Sequence, residues 1–143
     1  MADTFNPKFG NIVAIPFNIA NPDTTASGTN TFCSWGANAV TGVAMPLAGS
    51  VVALTVRGNA NVTAGTIAFN PHKAGTVYAQ SSSLLTTLTT ASGASNVGYA
   101  SVRPGVLTFA AGDLIGVGYL SATNYAATTI DFDALLFVTF NPD

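Results

Sequence analysis

His72 is the only histidine in the chain, so a Ser-His-Asp relay or an imidazole general base would have to run through it. Pro71 before it and Lys73 after it predict an exposed turn leaving a strand, which is a poor place for a preorganised base. One histidine and one cysteine cannot supply a histidine-rich zinc site, because a structural site needs four ligands. Asp131 and Asp133 stand two apart, a spacing that puts both carboxylates on one face of a strand. Such a pair could hold a hard cation or work as acid and base. With Phe132 and Ala134 pointing the other way, it also fits a solvated outer face, which is the reading we adopt. Asp113 follows Ala111-Gly112 and fits an Asx-type bond closing a turn. Cys33 has no intrachain partner and, between Phe32 and Trp35, reads as a small buried hydrophobe. Gly116-x-Gly118 lacks the strand-Gly-helix context of a phosphate loop. These residues predict no catalytic centre, no metal site and no cofactor, hence a protein that is not an enzyme.

The elements that must carry these residues follow from composition. Only 7% of the 143 residues are charged, against about a quarter in an ordinary soluble domain. All six acidic residues are Asp, so the Glu that a helix places on its solvent face is missing. Strands are therefore expected, with a surface of Thr, Ser, Asn, Gly and Ala. The four basic residues, Lys8, Arg57, Lys73 and Arg103, are scattered and offer no groove for a phosphate backbone, so nucleic acid is not an expected partner. The longest apolar-leaning stretch, Gly105 to Leu120, contains Asp113 and four glycines and falls short of a spanning length, so a membrane is not expected either. Met1 to Lys8 has neither the basic nor the apolar region of a secretory signal, which predicts synthesis in a cytoplasm.

Residues 1–11 show no periodicity and predict an N-terminal arm with Phe5 and Phe9 as anchors. Ile12 to Ile19 predicts a strand whose Pro16 lies at an edge or bulge. Ser50 to Arg57 is the clearest strand, with Val52, Leu54 and Val56 expected on one face. Thr66 to Asn70 resumes the alternation after Gly58 to Gly65, so these two strands are expected to be antiparallel neighbours. Val77 to Ala79, Leu84 to Thr89, Val97 to Val102 and Val106 to Phe109 are short strands, followed by Leu114 to Leu120. Thr129 to Phe140 includes the wholly apolar run Leu135 to Val138 and predicts a central strand. The whole reads as all-β: an antiparallel β-sandwich, a jelly roll of about eight or nine strands over residues 12–143, preceded by the arm.

Three segments, residues 49–66, 109–117 and 130–140, together resemble virion jelly-roll proteins, and most specifically the decoration (cement) proteins of tailed bacteriophage heads. The resemblance covers roughly residues 12 to 140 and implies a structural protein of the virion, on the outside of the capsid. It implies a homotrimer bound to the major capsid protein and stabilising the expanded head. The family supplies no motif for the contact; from pattern alone, Phe5, Lys8 and Phe9 of the arm are the candidate capsid contacts. The rival reading is a trimeric receptor- or glycan-binding head of a fibre or spike. It would draw on exposed aromatics among Trp35, Tyr78, Tyr99, Tyr119 and Tyr125, although Trp35 reads as core.

Overall fold

The structure is a computed structural model that describes residues 12–20, 31–32, 42–60, 64–74, 76–77, 86–89, 96–126 and 131–140. Every regular element among them is a strand. In chain order these are β1 (Ile12–Ala20), β2 (Thr31–Phe32), β3 (Val43–Ala44), β4 (Gly49–Gly58), β5 (Ala64–Lys73) and β6 (Thr76–Val77). There follow β7 (Thr86–Thr89), β8 (Val97–Ser101), β9 (Leu107–Phe109), β10 (Leu114–Ala126) and β11 (Asp131–Phe140).

They form two antiparallel sheets, and the protein is a β-sandwich. One sheet runs β1-β11-β4-β8, with β9 also on β4; the other runs β2-β10-β5-β6, with β3 on β10 and β7 on β5. The eleven segments fill eight places, because β2 and β3 share one side of β10, β6 and β7 one side of β5, and β8 and β9 one side of β4. Strand β11 lies between β1 and β4, as its apolar run requires, and β1 is an edge. Pro16 sits on that edge, where its missing N–H leaves no gap inside the sheet.

The core is the layer between the sheets. Ile15 and Phe17 of β1, Leu54 and Val56 of β4, and Phe132, Ala134, Leu136 and Val138 of β11 point into it. They meet Ile67 and Phe69 of β5 and Ile115, Val117 and Tyr119 of β10. Phe69 joins the two sheets through its ring, 5.0 Å from Phe132 and 6.1 Å from Tyr119, both tilted.

Three sequence expectations are corrected. Strands β4 and β5 are not neighbours: the first lies between β11 and β8, the second between β10 and β6 in the opposite sheet. The link between them is too long for a two-residue hairpin turn, and the chain uses it to cross the sandwich. Second, the strict alternation of Val52, Leu54 and Val56 fails, because the register with β11 slips between Phe137 and Val138. Val52 is the extra residue of this bulge, and Val51 turns inward to full burial with Leu54 and Val56. The interruption also explains why β8 and β9 are separate: they pair with β4 on either side of it, and between them the Val102 N–H donates to the Val52 carbonyl at 2.8 Å.

Third, His72 is not in an exposed turn. Strand β5 continues through Pro71 to Lys73, and His72 is 1% exposed. Proline is tolerated there because, on the side of β5 away from β10, β7 pairs only Thr66 to Phe69 and β6 only His72 and Lys73. Pro71 falls in the gap between these ladders, where no described strand needs its N–H. The turn comes after Lys73, at Ala74.

Candidate functional site

The outward face of the β1-β11-β4-β8 sheet carries two parallel rows of side chains that run across the strands. In one row Pro16, Leu135, Thr55 and Tyr99 are consecutive register partners. In the next, one pleat along, stand Asn18, Asp133, Arg57 and Val97. Between the rows Phe17, Ala134 and Val56 turn inward, so only backbone forms the floor. The result is an open groove of about 560 Å3 with one apolar wall and one wall bearing a negative and a positive charge.

The walls stand in solvent, and so does Tyr99, which continues the first row beyond the groove's lining. Tyr99 is 80% exposed, and Leu135 and Val97 are exposed as well, although all three have apolar surface to bury. Pro16, Asn18, Arg57 and Asp133 are exposed too. Asp133 and Arg57 face each other across β11 and β4. Its chemistry is apolar contact plus two charges, with no nucleophile beside a base among the lining residues.

The other candidates have structural roles. His72 Nε2 lies 2.8 Å from Asn70 Oδ1, and burial pushes the imidazole down from its ordinary value of 6.5 to about 4. The Asp113 carboxylate accepts the Ala110 N–H at 2.7 Å and pairs with Lys73 at 2.5 Å, closing the turn before β10 as expected. The Lys73 bond, then the Ala110 bond, holds that carboxyl below its usual range. Gly112, with a φ of 85°, supplies the left-handed residue this turn needs.

Asp131 and Asp133 are both exposed on the outer face, as their spacing predicts. Asn59 secures Asp131: its side-chain amide donates to Asp131 Oδ2 at 3.2 Å, and its Oδ1 accepts the Asp131 N–H at 2.9 Å. Among the described residues, no three His, Cys, Asp or Glu side chains gather as a metal site. Among those residues, too, no helix is long and apolar enough to cross a membrane.

No protein-family model matches the chain, and no curated protein sequence matches it. Among solved structures it is similar to a chain of a cyanophage Pam1 capsid asymmetric unit, at 17% identity and a TM-score of 0.49. That similarity covers 92% of this chain and 86% of the other.

Phe5, Lys8 and Phe9, the candidate capsid contacts, lie outside the described residues, as do Cys33, Trp35 and Tyr78. Tyr119 is no surface aromatic: it is 2% exposed and belongs to the core. The groove itself was not expected from the sequence. Its signal was present in the run Leu135 to Val138, since a strand apolar at successive positions must show apolar side chains on both faces. Tyr99 and Val97 gave the same signal on β8, where alternate residues share a face.

Proposed function

We propose that the protein is a structural component of a virion: a decoration protein that forms homotrimers and binds the major capsid protein on the outer surface of a phage head. The observation that carries this reading is the groove-bearing outer sheet face, in which exposed apolar side chains and two charges are arranged for protein contact. The strand order supports it. The first and last strands are neighbours in one sheet, and β1 to β2, β3 to β4, β4 to β5, β7 to β8, β9 to β10 and β10 to β11 each pass from one sheet to the other. Such crossings support the jelly-roll reading, an architecture that virion proteins share with lectins.

In this reading Phe5, Lys8 and Phe9 of the arm contact the shell. Bound trimers stabilise the expanded head by adding interface free energy that exists only in the assembled lattice. The test is twofold. Light scattering of the purified protein should give a mass of three chains, and adding it to undecorated expanded heads should raise their disruption temperature. A monomer at all concentrations, or heads that disrupt at an unchanged temperature with the protein present, would refute the reading.

Tyr99 favours a second reading, a receptor- or glycan-binding head, because an aromatic ring so exposed can stack on a sugar. Glycan-array binding abolished by Tyr99→Ala would select it over capsid decoration.

A further inference from the structure

The sequence holds a segment whose pattern matches the groove. In an extended chain alternate residues face opposite sides, so Phe5, Pro7 and Phe9 of the arm form an apolar edge while Asn6 and Lys8 form a polar one. The groove has the same two-sided character, with Pro16, Leu135 and Thr55 on one wall, Tyr99 next in that row beyond the groove's lining, and Asn18, Asp133 and Arg57 on the other wall. Lengths agree as well. Phe5 and Phe9 lie about 14 Å apart in an extended chain, and the four strands crossed by the groove span about 14 Å at ordinary strand spacing. With Phe9 beside Pro16 and Phe5 beside Tyr99, Lys8 falls opposite Asp133 and Pro7 lies between Leu135 and Thr55.

The arm of the same chain cannot make this fit. Phe9 is three residues before Ile12, where β1 begins, and three residues reach at most about 10 Å. The groove floor crosses β1 at Phe17, five residues further along the strand and about 17 Å from Ile12. The backbone of Phe9 therefore cannot lie over its own groove, whereas that of another copy can.

We infer that, in the protein free of a capsid, the groove between Pro16-Leu135-Thr55 and Asn18-Asp133-Arg57 seats residues 5–9 of a neighbouring copy of this chain. Arms passed in one rotational sense from copy to copy make a heterologous contact, which closes into a three-membered ring when successive copies are related by a third of a turn. The inference rests on the trimeric part of the proposed function and gives the same arm its place before a shell is bound.

The test is a charge exchange in the full-length chain, read as the concentration at which the assembly dissociates in light scattering. Lys8→Asp and Asp133→Lys should each weaken association by about tenfold, and the double exchange should recover most of that loss. Phe5→Ala with Phe9→Ala should weaken it further. Urea midpoints of the dissociated chains should match, since the arm seat exists only between copies and Asp133 is exposed. A trimer whose dissociation is unchanged by the single exchanges, or is not recovered by the double one, would overturn the arm seat and leave the trimer standing. A wild-type chain that is monomeric throughout would overturn both.

Discussion

Gly118 of β10 lies beneath the imidazole of His72 on the adjacent strand β5. A Cβ on Gly118 would overlap His72 Nε2 and come within 2.8 Å of Cε1 and 2.9 Å of Cδ2. A glycine in a strand ordinarily weakens it, and here its bare backbone makes room for a buried ring. This is the structural sense of the Gly116-x-Gly118 pair: Gly116 is the register partner of His72 and Gly118 that of Asn70.

Gly118→Ala should accordingly destabilise the protein by about 1–3 kcal/mol, although strand propensity alone favours alanine. Equilibrium urea denaturation would measure this. Combining Gly118→Ala with His72→Ala should cost less than the two changes summed, because removing the ring removes the collision. Strict additivity would mean that the two residues do not interact.

The buried imidazole also sets a pH dependence. Its pKa is about 4 in the folded chain and 6.5 in the ordinary solvated state, because burial disfavours the charged form. The unfolded chain then binds the proton more readily, so stability is full above pH 6.5 and falls as pH drops from 6.5 to about 4. The loss should total about 3 kcal/mol and end once both states are protonated. Asp113 acts in a lower window, since its depressed pKa withdraws stability only as pH falls below 3.8. His72→Gln should flatten the profile between pH 4 and 6.5; an unchanged slope would assign it to another group.

Ala74 has a φ of 50°, a left-handed conformation that costs an L-residue with a Cβ about 1–2 kcal/mol. It follows Lys73, in a turn that brings His72 and Lys73 back against Thr76 and Val77. Ala74→Gly should relieve that conformation and raise stability by about 0.5–1 kcal/mol, less the greater chain entropy of glycine when unfolded. A rise in the urea midpoint would show it, and a fall would mean that the left-handed conformation is not under strain.

Leu135 and Leu136 are chain neighbours with opposite fates. Leu136 is fully buried opposite Leu54, and Leu136→Ala should cost about 2–5 kcal/mol of folding stability. Leu135 is 40% exposed on the groove wall, and Leu135→Asp should change folding stability by about 0.5 kcal/mol or less while weakening association. Urea titrations at a concentration where the chains are dissociated separate the two effects. A large stability loss on Leu135→Asp would mean that its side chain is part of the core.

Much of the fold was written in local pattern. The absence of Glu, the two-residue alternation and the Gly, Pro and Asn punctuation mark strands, because each reflects chemistry within a few bonds of the backbone. Pro16 pointed to an edge, Leu135 to Val138 to an interior strand, and Asp113 to a closed turn. Each rests on one residue's donor, side chain or carboxylate.

What the pattern could not settle were partnerships across the sandwich. Nothing near Gly58 or Gly65 states that the chain crosses to the other sheet there, since that depends on where β10 and β11 lie many residues later. The bulge at Val52 depends on its register with Phe137 and Val138. His72 looked exposed because its flanking proline reads as a breaker; it is buried because the gap between β6 and β7 frees that proline from donating, and because Gly118 leaves room for the ring. The groove is likewise a tertiary product. Pro16, Leu135, Thr55 and Tyr99 come from four strands that are distant in the sequence, and only their pairing brings them into one row. Alternation tells each side chain which face it takes, and only long-range pairing tells it which neighbours it meets there.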